Sequence, residues 1–391
     1  ESLYFADEVT DITGLSIFPN LQYLTLMNYA GTEISIQNEG LKELVIGGNK
    51  EELVVDAPSI TVLKVYGNGK VKSVDVTKTG NVEEMEVTYD DSINEVKGLS
   101  SHTKLKYLRL TGYPGETIDL SGLEKLETLC LQDGKLTSID VSRLTELSEL
   151  YVYEQGITSI DASGNSKLEN IDCSCCSNLV DLKVPESIGR LYCYSCKLTS
   201  LDVSGCRNLS LLWVDDNKLT SLDVSKCTAL RSLSMKNNVI KSLDVTRCRK
   251  LNHLSVDNNK LKSIDISKCQ KLIELSVSGN KRLSKIDISK HKKLSVLDIS
   301  NTRIKKLDTH KNKELLEVDF HNTLMSKVDF SKNKKIYLIS YYGSALKKYD
   351  LSQINSKYFY VFYAAKRGAK IKLKNYIGKG WKVVYRSRYL K

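Results

Sequence analysis

Residues 212–251 read LWVDDNKLTSLDVSKCTALRSLSMKNNVIKSLDVTRCRKL and contain two copies of one 21-residue repeat. Each copy opens with alternating apolar residues, Leu212 and Val214 in the first and Leu233 and Met235 in the second. Alternation with a period of two is typical of a short strand whose apolar side chains all point inward. A fixed period of this length predicts a stacked repeat array, in which each copy buries its apolar side against its neighbours.

The same repeat extends in both directions from this stretch. Most steps between repeats are 21 residues, the range is 19 to 23, and the larger deviations lie before residue 110. The predicted repeats begin at Leu24, Leu44, Leu63, Met85, Leu108, Leu129, Leu150, Ile171, Leu191, Leu212, Leu233, Leu254, Leu275, Leu297, Val318 and Ile339. About sixteen repeats therefore occupy residues 24–352.

The spacing of Leu230, Leu233, Met235, Asn238 and Ile240 resembles the pattern L-x-x-L-x-L-x-x-N/C-x-L of leucine-rich repeats. Residues 219–226, LTSLDVSK, resemble the repeats of secreted and surface-attached bacterial proteins, and residues 11–26 resemble an internalin repeat. The resemblance implies a mostly β leucine-rich-repeat solenoid with a parallel concave sheet. Because 21 residues leave no room for a long helix, we expect an extended convex side with few helices.

The resemblance also implies a ladder of buried amide side chains that bond the backbone of neighbouring repeats, as unpaired buried polar groups require. The predicted ladder contains Asn49, Asn68, Cys176, Cys196, Asn217, Asn238, Asn259 and Asn280, and then Thr302 and Thr323. An open array exposes its core at both ends. We therefore expect an N-terminal cap over residues 1–23 and a C-terminal β cap of antiparallel strands over residues 353–391.

Cysteines recur at a second position of the repeat, at Cys206, Cys227, Cys248 and Cys269, and His291, Asn312 and Asn333 follow there. A position shared by Cys, His and Asn indicates a buried hydrogen-bonding site. A tighter group, residues 173–196, contains five cysteines that fall mostly on inward and ladder positions. A metal site or a disulfide between neighbouring repeats stays open for this group, but we predict no metal and no cofactor.

One aspartate recurs at the same position in ten of the repeats, with Lys or Arg three residues later in the second half of the chain. Stacked carboxylates repel one another unless they are neutralised. We expect this basic row to neutralise the aspartates; a cation-binding ladder is the alternative. The aspartates are Asp140, Asp161, Asp202, Asp223, Asp244, Asp265, Asp287, Asp308, Asp329 and Asp350, and the basic residues are Lys226, Arg247, Lys268, Lys290, Lys311 and Lys332.

Charge is distributed unevenly along the chain. Residues 1–150 contain 13 Lys+Arg and 25 Asp+Glu, a net charge of −12 (13 − 25), whereas the remainder contains 45 and 22, a net charge of +23 (45 − 22). A basic half attracts anionic partners such as acidic glycans, cell-wall polymers or acidic protein faces. A solvated outer surface is the alternative explanation of the lysines.

Aromatic residues occupy outward positions of consecutive strands, where they flank the inward leucines. Exposed Tyr and Trp are the residues most enriched in binding hot spots, although cross-strand packing that stiffens the sheet gives the same pattern. The candidate ligand-binding residues are Tyr151, Tyr153, Asp172, Tyr192, Tyr194 and Trp213. Beyond Lys236 the outward residues are mostly serine, so we expect that surface to be featureless.

No catalytic motif is present in the sequence, and the five histidines are scattered. We therefore predict a non-catalytic binding scaffold outside or on the surface of a bacterial cell. A protein ligand on the concave aromatic patch is the first hypothesis. The alternatives are a glycan or anionic cell-wall polymer, bound through aromatics and the basic C-terminal third, and a structural stalk. No stretch of 18 apolar residues predicts a membrane span, and nothing predicts specific nucleic-acid binding.

Overall fold

The structure is a computed structural model that describes residues 1–89, 93–345, 360–362 and 382–384. It divides into two compact units, Glu1–Lys197 and Leu198–Lys391. Each unit is a parallel β-solenoid in which one strand of every repeat joins a continuous main sheet. We call the contribution of one repeat to that sheet a rung.

The N-terminal unit contains sixteen described strands. In chain order they are β1 (Ser2–Val9), β2 (Tyr23–Tyr29), β3 (Glu33–Ser35), β4 (Glu43–Gly48), β5 (Glu52–Asp56), β6 (Val62–Tyr66), β7 (Ser73–Lys78), β8 (Glu84–Thr88), β9 (Glu95–Lys97), β10 (Tyr107–Thr111), β11 (Thr128–Gln132), β12 (Glu149–Tyr153), β13 (Ser159–Asp161), β14 (Asn170–Asp172), β15 (Asp181–Lys183) and β16 (Arg190–Tyr192). The main sheet pairs β1, β2, β4, β6, β8, β10, β11, β12, β14 and β16 in that order, always parallel.

The C-terminal unit continues the same architecture with shorter strands. They are β17 (Leu211–Trp213), β18 (Ser232–Ser234), β19 (His253–Ser255), β20 (Glu274–Ser276), β21 (Val296–Asp298), β22 (Glu317–Asp319), β23 (Leu338–Ser340), β24 (Tyr360–Phe362) and β25 (Lys382–Val384). Each strand pairs in parallel with the next.

The register of the strands confirms the predicted repeat boundaries. Leu24 is opposite Leu44, and the series continues to Leu191 in the N-terminal unit; Leu212 begins the corresponding series in the C-terminal unit, which reaches Ile339. These residues have side chains at most 1% exposed. The alternating apolar residues therefore form one core column per unit, because a strand places every second side chain on the same face.

The opposite side of each repeat is extended, as predicted. In the N-terminal unit it carries a sheet of β3, β5, β7 and β9 and a pair of β13 and β15, all parallel. In the C-terminal unit it carries an isolated bridge between Asp244 and Asp265. Short 3₁₀ helices cover Thr13–Ile17 and Leu99–Ser101, and no α-helix occurs among the described residues.

The two ends of the array differ from a simple cap. Strand β1 already pairs in register with β2, placing Leu3 opposite Leu24, so the first 23 residues contribute an edge strand. At the other end, β24 and β25 pair in parallel, with Val361 opposite Ile339 and Val383 opposite Val361, at 22-residue steps. The expectation of antiparallel strands is wrong there, because the alternating apolar residues follow the repeat spacing. The remainder of residues 353–391 lies outside the described residues. The capping role of both ends stays a prediction.

The asparagine ladder is present in the C-terminal unit. The Asn238 Oδ1 accepts the Leu219 N–H at 2.9 Å, and its Nδ2 donates to the Val214 carbonyl at 2.9 Å. Asn217, Asn259 and Asn280 also accept a backbone N–H through Oδ1 and donate to carbonyls through Nδ2. The hydroxyls of Thr302 and Thr323 each donate to the carbonyl three residues earlier, and Thr302 also accepts the Ile304 N–H at 3.5 Å.

Two predicted ladder positions in the N-terminal unit are different. Asn68 is exposed, because residues 67–70 form a bend in which Gly69 has φ of +81°. Asn49 is half-buried and donates to the Glu8 carboxylate at 2.8 Å instead of to a backbone carbonyl. Gln155 is a ladder residue that the sequence reading missed: it is 3% exposed, and its Oε1 accepts the Leu136 N–H at 3.1 Å.

Candidate functional site

The tyrosine surface of the N-terminal unit is built on the outward positions of β10, β11, β12, β14 and β16. The register places Arg109, Cys130, Tyr151, Asp172 and Tyr192 in one row across these five strands. Neighbouring strands in a sheet lie about 4.8 Å apart. Three residues of the predicted patch, Tyr151, Asp172 and Tyr192, are thus brought next to one another. We call this row, with Tyr153 and Tyr194, the tyrosine surface.

Hydrogen bonds hold two of the tyrosines in place. The Tyr151 hydroxyl donates to the Glu149 carboxylate at 3.0 Å, and the Tyr153 hydroxyl donates to Gln132 Oε1 at 2.9 Å. The same Gln132 oxygen accepts from Arg109 Nη2 at 3.3 Å. Burial, with a contribution from neighbouring groups, raises the pKa of Tyr151 and of Tyr153 to about 12. Both phenols are therefore neutral hydrogen-bonding groups at physiological pH.

The tyrosines are less exposed than the sequence reading expected. Tyr151, Tyr153, Asp172, Tyr192 and Tyr194 are all half-buried. The Asp172 carboxylate accepts the N–H of Ser174 at 3.0 Å, and this bond orients the carboxylate at the end of β14. Cys130, which the sequence reading did not single out, lies in the same row and is 5% exposed. The tyrosine side chains are thus partly accessible to a ligand.

Trp213 belongs to the C-terminal unit. It is the last residue of β17, is 37% exposed, and donates from Nε1 to the Ser232 hydroxyl at 3.0 Å. It is therefore a candidate contact residue of its own unit.

The outward face of the C-terminal main sheet is not featureless, contrary to expectation. Its serines are bonded to aspartates of neighbouring rungs: the Ser234 hydroxyl donates to Asp215 at 2.7 Å, and the Ser276 hydroxyl donates to Asp257. Ser234, Ser255, Ser300 and Ser340 are at most 5% exposed. Short side chains at successive rungs let the carboxylates fold down onto the sheet, which the spacing of serines alone did not reveal.

Asp298 is the most perturbed carboxylate of that face. Burial, with smaller contributions from the nearby carboxylates of Asp319 and Asp257, raises its pKa to about 6, although hydrogen bonds from Ser300 oppose the shift. On the adjacent rung, Asp319 accepts from His321 Nδ1 at 2.7 Å, and the His321 ring stacks on Tyr342 with centroids 4.2 Å apart.

The recurring aspartates shape turns rather than a cation site. Each described one accepts the backbone N–H two residues later, at 2.8–3.1 Å. These bonds and the accompanying hydroxyl contacts lower the pKa of Asp223, Asp244 and Asp265. Among the described residues, no ion pair joins an aspartate of this row to the Lys or Arg three residues later. The basic row thus makes no direct ion pair with the aspartates, although its charges contribute to lowering the pKa of Asp223, Asp244 and Asp265.

The second buried position is a hydrogen-bonding ladder, as predicted. The thiols of Cys227, Cys248 and Cys269 donate to carbonyls one rung earlier, at 3.3–3.6 Å. The His291 Nε2 bonds the Ile266 carbonyl at 3.0 Å, and the Asn312 Nδ2 donates to Ile288 at 2.9 Å. Here thiol, imidazole and amide serve one purpose, because each can pair a buried carbonyl.

The tighter cysteine group follows the same logic. Cys176 donates to the Val152 carbonyl at 3.0 Å, and Cys196 donates to the Cys173 carbonyl at 3.3 Å. Burial raises the pKa of the Cys176 thiol to about 12. No disulfide links any of the ten cysteines, all of which lie in the described residues. Within that part of the chain no cluster of His, Cys, Asp and Glu has the arrangement of a metal site.

Solved structures of several repeat proteins are similar to this chain. The functional domain of InlJ from Listeria monocytogenes, which includes a cysteine ladder, matches with a TM-score of 0.66 and 23% identity over 85% of this chain and 74% of that one. A leucine-rich-repeat protein of Leptospira interrogans matches with a TM-score of 0.68 and 20% identity over 88% and 95%. Toll of Drosophila, in its complex with Spätzle, matches with a TM-score of 0.59 and 16% identity over 83% and 55%.

The chain has a leucine-rich-repeat fold. The predicted internalin-like architecture of 21-residue repeats is confirmed at the level of the fold. No protein-family model and no curated protein matches the sequence. No helix among the described residues of this leucine-rich-repeat chain is long and apolar enough to cross a bilayer.

Proposed function

We propose that this leucine-rich-repeat chain is a non-catalytic binding scaffold, on or outside a bacterial cell, that engages a protein through the tyrosine surface. The observation that carries the proposal is the in-register row of Tyr151, Asp172 and Tyr192 on three neighbouring strands. Aromatic side chains supply large contact areas at a low entropy cost when they are held in place before binding. The bonds of Tyr151 to Glu149 and of Tyr153 to Gln132 supply that restraint.

The fold similarity supports the same function class. Toll is found in a complex with Spätzle, a plant receptor-kinase ectodomain is found with a Casparian strip integrity factor, and both are leucine-rich-repeat folds similar to this chain. Two bacterial neighbours, from Listeria and Leptospira, support a location outside a bacterial cell. The charges around the tyrosines are mixed, with Arg109 and Arg190 beside Glu149 and Asp172, which favours a protein surface of mixed charge over a uniform polyanion.

The test is binding of the full chain to an array of extracellular proteins, with the Tyr151→Ala/Tyr192→Ala variant beside the wild type. We expect the ligand found for the wild type to lose about 10-fold or more in affinity, since hot-spot truncations cost roughly 2 kcal/mol or more. The matched control is Tyr66→Ala, a half-buried tyrosine of the same sheet at the end of β6. Trp213→Ala is measured separately, because it reports on the C-terminal unit.

The salt dependence separates this proposal from a charge-driven one. Binding on the tyrosine surface survives about 0.5 M NaCl, whereas contacts between exposed charges are screened at that ionic strength. Equal affinity of the double variant and the wild type would overturn the site. A glycan array is run in parallel. If only glycan binding depends on Tyr151 and Tyr192, the ligand of the tyrosine surface is a sugar and not a protein.

A further inference from the structure

The turns around the buried Cys, His and Asn ladder of the C-terminal unit carry basic residues on both sides. All of these side chains are exposed. We call them the basic face: Lys226, Arg247, Arg249, Lys250, Lys268, Lys271, Lys290, Lys292, Lys293, Lys311, Lys313, Lys332, Lys334 and Lys335. Six consecutive repeats contribute to it, each with a basic residue directly before the ladder position.

The buried ladder fixes the spacing of these residues. Cys269 bonds the Val245 carbonyl at 3.3 Å, His291 bonds Ile266 at 3.0 Å, and Asn333 bonds Thr309 at 3.0 Å. Each turn is thereby held one rung from the last, so the row from Lys226 to Lys332 has a positive charge about every 4.8 Å over roughly 24 Å. The step between successive charges is therefore set by the backbone.

The lysines of this unit lack internal partners. Of the 22 lysines between residues 198 and 345, only Lys335 forms an ion pair within 4.0 Å, with Glu314 at 2.6 Å. The N-terminal unit differs: 7 of its 14 lysines pair with carboxylates, as Lys167 does with Glu146 one rung earlier at 2.5 Å. The same fold can thus pair its lysines across rungs, but in the basic face only Lys335 is paired in this way.

The neighbouring carboxylates do not neutralise the face. Residues 198–345 carry 28 Lys+Arg and 15 Asp+Glu, a net charge of +13 (28 − 15). The aspartates of the same turns, such as Asp265 and Asp287, direct an oxygen to their own backbone N–H groups. Like charges on neighbouring rungs therefore remain next to one another, which is unfavourable in the free protein. A ligand with regularly repeated negative charge relieves that repulsion.

An apolar groove lies within the basic face. It has a volume of about 460 Å³ and is lined by Ile273, Ser295 and Leu316 and by the charged residues Lys293, Lys335 and Glu314, of which Lys335 and Glu314 form an ion pair. Ile273 is 41% exposed there. The apolar floor fits a sugar ring, whose C–H faces pack on aliphatic side chains while an anionic group of the sugar reaches Lys293.

We propose that the basic face binds a linear anionic polysaccharide. One feature favours a polysaccharide over a nucleic acid: the lining of the groove contains no aromatic side chain on which bases could stack. The surface is separate from the tyrosine surface, so either proposal can fail alone.

The test compares two triple variants of the full chain for binding to polygalacturonate and to heparin, with neutral dextran as the uncharged reference. Lys268→Gln/Lys290→Gln/Lys311→Gln removes three charges from the basic face. The matched control, Lys262→Gln/Lys285→Gln/Lys305→Gln, removes the same charge from exposed residues five or six positions earlier in the same repeats. We expect a loss of at least about 10-fold in the first and of less than about 3-fold in the control, because each lysine near an anionic surface contributes on the order of 1 kcal/mol.

Further arms decide how a negative result is interpreted. The corresponding Lys→Arg triple variant keeps the charge and should keep the affinity. The Gln variant should melt no lower than the wild type at low salt, because it removes like-charge repulsion. Equal losses in both triple variants, no binding of either polyanion by the wild type, or tighter binding of a single-stranded oligonucleotide of matched charge would each overturn the proposal.

Discussion

Asn259 serves two neighbouring rungs with one side chain. Its Oδ1 accepts the Ile240 N–H at 3.0 Å, and its Nδ2 donates to the Met235 carbonyl at 2.8 Å. Both backbone groups lie in the core, where water cannot replace the amide. Cys and Thr at equivalent positions make fewer bonds, because a thiol or hydroxyl has one hydrogen to donate.

Asn259→Ala is expected to lower the free energy of unfolding by about 2–4 kcal/mol, since buried donors and acceptors left without partners cost about 1–3 kcal/mol each. Chemical denaturation followed by circular dichroism measures the change. Asn252→Ala is the control: Asn252 is half-buried, and only its backbone participates in the described bonds. A loss in Asn259→Ala no greater than in the control would contradict the ladder's role.

Asp298 gives a residue-scale prediction about pH. Its folded-state pKa of about 6 lies above the unfolded value, so the native state holds the proton longer. Stability attributable to this group is therefore present below the unfolded pKa and is lost as pH rises from about 4 to 6. Asp298→Asn keeps the acceptor for the Ser300 N–H and cannot ionise.

We expect Asp298→Asn to stabilise the protein at pH 7 by on the order of 1–2 kcal/mol and to have no effect at pH 3.5. Melting temperatures at the two pH values check this. Asp287→Asn is the control, since hydrogen bonds lower the pKa of Asp287 and its removal should not stabilise at pH 7. Stabilisation of equal size at both pH values would exclude ionisation of Asp298 as the cause.

At the scale of elements, the turn after each main-sheet strand from β10 to β23 depends on a left-handed residue directly before the ladder position. Asn237, Asn258, Asn301 and Asn322 have φ of 51–53°, and Gly279 has φ of +70°. Exposed side chains in this row bond one another: Asn258 Nδ2 donates to Asn237 Oδ1 at 2.7 Å. Asparagine tolerates this conformation better than most residues. This tolerance explains why asparagines recur in this exposed row beside the buried asparagine ladder.

Gly279→Ala tests the turn. A Cβ at this position would lie 2.0 Å from Asn258 Oδ1, and the positive φ adds strain. We expect a loss of about 1–3 kcal/mol, measured by denaturation. Gly164→Ala, where a Cβ meets nothing within 4 Å, should be nearly neutral. Adding Asn258→Gly should recover part of the loss; no recovery would show that the backbone, rather than the amide, is the obstacle.

At the scale of the whole molecule, the aspartate row makes the fold sensitive to acid. A hydrogen bond from Lys183, with further bonds from Ser163, lowers the folded-state pKa of Asp161 to about 2. Hydrogen bonds from backbone and hydroxyl groups lower the pKa of Asp244 and Asp265. A lowered pKa stabilises the folded state above the unfolded value, and that stability is lost as pH falls through the folded value.

We therefore expect the melting temperature to fall steeply as pH drops from about 4 to 2. In Asp223→Asn/Asp244→Asn/Asp265→Asn the amide oxygen still accepts the turn N–H but does not titrate. This variant should retain more of its melting temperature at pH 3 than the wild type, relative to pH 7. Identical acid profiles would show that other groups govern acid unfolding.

The sequence by itself determined the repeat. Because a strand alternates its side chains and every repeat has nearly the same length, the positions of inward leucines predicted the register from Leu24 to Leu191 and from Leu212 to Ile339. It also predicted the buried position shared by Cys269, His291 and Asn312, since only a hydrogen-bonding requirement unites these residue types.

Only the tertiary structure decided how outward side chains pair, because their partners lie 19 to 24 residues away. Gln155 makes a ladder bond, to the Leu136 N–H, although it is not an asparagine, whereas Asn68 is exposed and makes none of the ladder bonds described above. The tyrosines are half-buried, and their role in ligand binding stays a prediction. The serine hydroxyls bind aspartate carboxylates of neighbouring rungs. The aspartates three residues before the lysines of the basic face accept backbone N–H groups and form no ion pair with those lysines. Periodicity fixes which face a residue occupies, whereas burial and pairing depend on the atoms of the next rung.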